Sequence, residues 1–203
     1  MHRSEESGGV DDLPPHVPAA AVDDDVQGIE DGVGPLFHRL YRARIRDARR
    51  SPAELITRLR GDPNEATPTE LARFLKVRGR DGRLAVGDEL IVRMPGPWDG
   101  PVRVTEATST SFRFATLAGH LEAGQIDFRA SQAGALLHFE IESWARSGDR
   151  LSNLLYNHLR MAKEVQLHMW TSFLEQVAGL AGGRLTGGIE IISRKVEDPR
   201  ALS

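Results

Sequence analysis

Thr116 to Phe128 reads TLAGHLEAGQIDF and lies between two runs in which apolar and polar residues alternate. Upstream, Phe112 and Phe114 share one face of a pleated strand, and downstream Ile126 and Phe128 share one. Thr116, His120 and Glu122 fall on those same parities. A period of two therefore aims three polar side chains at the buried side of a sheet, where polar groups need partners or a purpose. The stretch marks a hairpin and nominates a site.

The same alternation extends in both directions. Leu90, Val92 and Met94 alternate with Glu89, Ile91 and Arg93; Val102 and Val104 with Arg103 and Thr105; Leu137, Phe139 and Ile141 with His138, Glu140 and Glu142. One apolar and one charged face is the pattern of an antiparallel sheet covered on one side only. Pro95 to Pro101, with three prolines and two glycines, reads as a rigid turn. Before these strands, Phe37, Tyr41, Ala43 and Ile45 oppose His38, Arg42, Arg44 and Arg46, a strand with a basic outer face. With no outward aromatic ring beside these arginines, a solvated face is a better reading than a nucleic-acid platform.

Between the first strand and the others stand two helix starts. Ser51-Pro52-Ala53-Glu54 carries an N-cap, a proline in the first turn and a capping-box glutamate. Thr67-Pro68-Thr69-Glu70 repeats the signal, with Leu71, Phe74 and Leu75 on its apolar side. After the strands, Leu154, Leu159, Ala162, Met169, Phe173 and Val177 recur at helical spacing within a long amphipathic run, Leu151 to Ala178, that ends near Gly179, Gly182 and Gly183. Ile189 to Ser193 leave room for one edge strand.

The chain of 203 residues carries a net charge of −3, unevenly spread. Residues 1–34 hold nine acids against Arg3, with Pro14, Pro15 and Pro18 and few large apolar side chains, so composition predicts a disordered acidic leader whose removal leaves the melting temperature nearly unchanged. The remaining residues are mildly basic. Three segments follow: leader 1–34, folded domain 35–183 and C-terminal extension 184–203. The lack of cysteine excludes disulfides and thiolate metal sites and points to a reducing cytoplasm. No apolar run is long enough to span a bilayer.

Strand, two short helices, five antiparallel strands and a long C-terminal helix define an α+β class. The order resembles the helix-grip fold of START-like lipid-transfer proteins, the birch-pollen-allergen family and many polyketide cyclases, in which a curved antiparallel sheet wraps the helix around a cavity. The strings GDELIVRMPGPWDGPVRV, SFRFATLAGHLEAGQIDFRA, HFEIESWARSGDR and EVQLHMW resemble the bacterial and plant domain-of-unknown-function family nineteen-ninety. The positions carrying that likeness are Thr116, Leu117, Gly119, His120, Glu122, Gly124 and Phe128. The resemblance implies no established activity.

Thr116, His120 and Glu122, joined by His158 and Gln166 within the helix's apolar stripe, are the candidate ligand-binding residues of a cavity for an apolar or amphipathic small molecule. His120 and Glu122, two apart on a strand, are the candidate catalytic pair if the cavity supports acid/base chemistry such as cyclisation or dehydration. The opposing reading makes His120 the cap of the Ala118-Gly119 turn with Glu122 paired to an arginine, or makes Gly124 a bulge that flips both residues outward. A third class is a protein-interaction module using the basic first strand and acidic leader. No metal-ligand spacing or phosphate-cradling loop is present, so no metal or cofactor is expected.

Overall fold

The computed structural model describes residues 1–94, 99–148 and 156–197, with only the backbone of 156–164. Among these residues, nine strands form one curved sheet in the order β1-β9-β2-β8-β7-β6-β5-β4-β3. They are β1 His2–Ser7, β2 Gly32–Arg46, β3 Arg73–Arg78, β4 Glu89–Arg93, β5 Asp99–Ala107, β6 Ser111–Thr116, β7 Glu122–Ala133, β8 Leu136–Gly148 and β9 Arg184–Val196. Every pairing is antiparallel except β1 with β9. Helices α1 (Pro52–Gly61) and α2 (Tyr156–Leu180) pack against the sheet.

The period-two faces assemble as the alternation requires. Phe112, Phe114, Phe128 and Phe139 point to one side and meet Trp170 and Phe173 of α2, with ring centroids 4.8 to 6.3 Å apart along the chain of contacts. Helix α2, 25 residues and so about 37 Å long, rests on β2, β8 and β9. Its C-terminus explains the arginines at 49 and 50. The Arg49 and Arg50 amides both donate to the Ala181 carbonyl, and the Arg50 guanidinium donates to the Leu180 carbonyl. A cation there also meets the negative end of the helix dipole.

Three expectations need correction. Ser51 caps α1 through its capping box as read, but the second helix start does not become a helix. A 3-10 turn at Pro63–Glu65 is followed by β3, and the Asn64 side chain pairs with both the amide and the carbonyl of Phe74 as a neighbouring strand would. Six residues with Phe74 buried satisfy a strand as well as a helix turn, and pairing with β4 decides. Helix α2 is not C-terminal, because β9 follows it and lies between β1 and β2 as an inner strand.

The third correction concerns residues 1–34, for which composition favoured disorder. They form β1, three 3-10 turns and a path across the sheet's outer face. Leu13 and Ile29 cover a second apolar cluster of Leu36, Trp144 and Val196. Arg103 and Arg146, on β5 and β8, reach leader carbonyls at Ala21 and Ile29, and Gln125 donates to the Pro15 carbonyl at 2.7 Å. Little apolar surface is buried, yet partners on a preformed sheet replace the solvent that the polar chain would otherwise keep. On the outer face of β2, Arg42 pairs with Glu140 and Glu190, while Arg44 and Arg46 are exposed.

His38 clamps the leader. Its ring stacks on Trp144 (centroids 5.2 Å apart), with Nδ1 2.7 Å from Asp12 and Nε2 2.7 Å from Glu142. Burial alone would lower its pKa, but the hydrogen bonds to Glu142 and Asp12 outweigh burial and hold it above 6.5. Burial likewise opposes the charged forms of Asp12 and Glu142. The Gly9 amide and His38 at Asp12, and His38 and Arg129 at Glu142, prevail and hold the two below 3.8 and 4.5 respectively.

The raised histidine stabilises the fold fully below its unfolded value and loses that contribution as pH climbs through the folded one. The depressed carboxylates contribute above their unfolded values and lose it as pH falls through the folded ones. The clamp is therefore strongest between 4.5 and 6.5. From about pH 6.5 to about pH 9 the wild-type melting temperature should fall more than that of His38→Gln. Parallel slopes for the two proteins would remove His38 from this role.

Candidate functional site

The hairpin joining β6 and β7 turns at Gly119, whose φ of +97° lies in the left-handed region. Gly124, at φ +153°, is more constrained, because a Cβ there would sit 1.8 Å from the Trp144 carbonyl oxygen. It is not a bulge in the β7–β8 ladder, whose register runs unbroken from Glu122↔Ser147 to Ala133↔Leu136. The inward parities therefore persist. Thr116, His120, Glu122 and Gln166 all border a cavity of about 80 Å³ between the sheet and α2.

Its walls are mostly apolar, among them Phe74, Val92, Phe114, Met169 and Trp170. The polar groups gather at one end. Gln166 Nε2 donates to Glu122 Oε2 at 2.9 Å across the gap between α2 and β7. The Glu122 amide donates to His120 Nδ1 at 2.9 Å, and because that amide hydrogen is obligatory, Nδ1 is the acceptor and the ring proton sits on Nε2. The Glu122 carbonyl, 3.0 Å from the same nitrogen, already accepts from Gln27 Nε2 at 3.0 Å. Burial lowers the His120 pKa, against the pull of the Glu122 charge, so the ring is neutral at pH 7. It packs on Gly100, where a Cβ would lie 2.9 Å from Nε2.

The candidate pair His120 and Glu122 therefore meet through backbone: the Glu122 amide reaches the His120 ring while the Glu122 carboxylate turns to Gln166. Thr116 borders the cavity, but its hydroxyl is occupied, donating to the Gln27 carbonyl (2.8 Å) and accepting from the Gly124 amide (2.9 Å). It pins the leader to the hairpin. His158 belongs to α2, eight residues before Gln166, and its side chain lies outside the described residues, as do Trp98 and the side chain of Ala162. Trp144 is on the outer face, away from the cavity.

Sequence reasoning missed Ser143 and Gln27. Ser143 follows Phe139 and Ile141 on the inward parity of β8 and borders the cavity, so the alternation could have found it. Nothing in the sequence signals Gln27, whose amide spans the His120 and Glu122 carbonyls from a distant segment. Among the described residues, no cluster of three or more His, Asp or Glu is placed to hold a metal, and no helix is long and apolar enough to cross a membrane.

Several solved structures are similar to this chain, and the first two below, at a TM-score of 0.50 or more, share its fold. The di-domain ARO/CYC StfQ from the steffimycin biosynthetic pathway superposes with a TM-score of 0.54 at 9% identity, over 73% of this chain and 51% of that one. The hypothetical protein jhp0584 from Helicobacter pylori gives 0.50 at 10% identity, over 70% and 86%. The allergen Ara h 8.0201 gives 0.45 at 13% identity, over 71% and 97%. The class is that of the helix-grip proteins. Within it, residues 69–175, just over half the chain, match the model of the Domain of unknown function (DUF1990), and the chain belongs to that family. No curated protein sequence matches.

Proposed function

We propose that this chain binds an apolar or amphipathic small molecule in the cavity between the sheet and α2, with the ligand's polar end at Glu122 and Gln166. The observation that carries the reading is the Gln166–Glu122 hydrogen bond in an otherwise apolar space, since a few convergent polar groups in an apolar pocket define a binding site. At about 80 Å³ the cavity holds two or three waters at about 30 Å³ each. A larger guest must displace side chains, and Met94 and Met169, each unbranched and flexible, are the walls that give. The likeness to the ARO/CYC StfQ supports the fold under this reading and nothing about a substrate.

A second reading has one observation in its favour: the His120 ring, its pKa lowered by burial, borders the same cavity as the Glu122 side chain, a candidate acid/base group. Binding is tested with the apolar fluorophore N-phenyl-1-naphthylamine on the full chain. Wild type should bind it, and Val92→Phe, which fills the cavity from β4, should weaken binding by about tenfold, a loss of about 1.4 kcal/mol. No binding to wild type, or equal binding to the filled variant, would reject the cavity as the site. Once a bound compound is found by native mass spectrometry, His120→Ala should leave its affinity within a few-fold under the binding reading. Under the enzymatic one it should cut turnover by about 10²- to 10⁴-fold.

A further inference from the structure

A second cavity, of about 230 Å³, lies on the same concave face at the other side of the sheet, bounded by β1, β2, β9 and Leu167 of α2. Its floor follows from register. On β2 the inward residues are Phe37, Arg39 and Tyr41, paired across β9 with Lys195, Ser193 and Ile191. Strand β1 adds Arg3 beside Ile191 and Glu5 beside Ser193. An arginine at the centre of this inward row breaks the apolar pattern that continues through Ala43 and Ile45, both fully buried.

The cations bordering this cavity are not equivalent. Arg3 is held by Glu5 at 2.7 Å, Arg194 by Glu6 at 3.1 Å and Lys195 by Glu197 at 2.6 Å. Arg39 has no carboxylate partner among the described residues, and its guanidinium lies over the Phe37 ring, 4.9 Å from the centroid. Stacking fixes the plane of the fork while leaving its N–H edge free to donate. Next along the strand, Tyr41 is buried, and its hydroxyl has no protein hydrogen-bond partner among the described residues. Burial pushes the phenol's pKa up, so it stays a donor. Phe37, Leu167 and Ile191 supply apolar surface around these two donors.

We propose that this cavity is a binding site, separate from the Glu122–Gln166 cavity, for a small carboxylate with an apolar body. The carboxylate takes the Arg39 fork and the Tyr41 hydroxyl, and the body lies against Phe37, Leu167 and Ile191. A planar guanidinium matches a carboxylate through two parallel hydrogen bonds. The volume falls just below the roughly 300 to 1,000 Å³ of drug-sized ligand pockets, which fits a single-ring or short-chain acid. Inorganic phosphate would satisfy the fork and leave the apolar walls unused.

The test is calorimetric titration of the full chain with benzoate, with benzyl alcohol as neutral counterpart and inorganic phosphate as anion without a body. Benzoate should bind wild type, and Arg39→Gln should weaken it by about tenfold or more, the loss of a charge-assisted hydrogen bond. Arg39→Lys, keeping charge without the fork, should fall between. Benzyl alcohol should bind weakly and be indifferent to Arg39→Gln. Val92→Phe, which blocks the other cavity, should leave benzoate affinity unchanged, so failure of this site and failure of the first are separable. Ser193→Leu, which narrows the cavity from β9 while the arginine at 39 is retained, should weaken benzoate as a check should the Arg39 variants lose the fold. The proposal is overturned by an absence of benzoate binding, by equal affinity in Arg39→Gln, by loss of binding in Val92→Phe, or by phosphate matching benzoate.

Discussion

Gly124→Ala should lower the melting temperature by about 10 °C or more, the largest effect expected of any single methyl group in this protein. Two causes add. The residue sits at φ +153°, where side chains are rare, and the new Cβ would meet the Trp144 carbonyl oxygen at 1.8 Å and the Ala145 Cα at 3.1 Å. Both are backbone atoms of a paired strand, so nothing flexible can yield. Strain of about 1 to 3 kcal/mol and disruption of the β7–β8 ladder together reach about 3 to 5 kcal/mol. At about 2 to 4 °C per kcal/mol for a chain of this size, that is a shift of about 10 °C. Gly119→Ala, with φ +97° but no atom within 4 Å, is the control and should cost only about 1 kcal/mol. Equal, small shifts for both variants would mean that the close approach of β7 to Trp144 is wrong.

Deleting residues 1–28 should cost nearly as much, in contrast to the neutral outcome that composition suggests. The deletion removes Asp12 from the buried His38, uncovers Trp144 and Leu36, and leaves the Arg103 guanidinium without its Ala21 and Asp23 partners. Breaking a buried ion pair from one side costs about 3 to 5 kcal/mol, or about 10 °C here. It also removes Gln27, whose side chain spans the carbonyls of His120 and Glu122, so affinity for the apolar fluorophore should change together with stability. A melting temperature within about 2 °C of the intact chain would show that the leader does not dock in solution.

The pH dependence of the His38 clamp offers a milder probe of the same contact. It is reversible and leaves the chain whole, so a slope that disappears both in His38→Gln and on deletion of the leader would tie the two results to one interaction.

What the sequence by itself determined is the part of this protein governed by local periodicity. Alternation placed β2 and the five strands β4 to β8, helical spacing placed α2, and a capping box placed the start of α1, because burial on one face leaves its period in the chain. The same alternation put Thr116, His120 and Glu122, and helical spacing put Gln166, around one cavity. The tertiary structure decided what had no period. Strand β3 is too short to differ from a helix turn until Asn64 and β4 pair with it. Strand β9 became an inner strand because β1 returned to its far side, a pairing between residues more than 180 apart. The acidic leader folds because histidine and arginine side chains of a sheet already built offer it partners, which no window of its own composition contains. Within the site, parity aimed the side chains, and only three-dimensional proximity spent Thr116 on Gln27, gave Glu122 to Gln166 and left Arg39 stacked beside an open cavity.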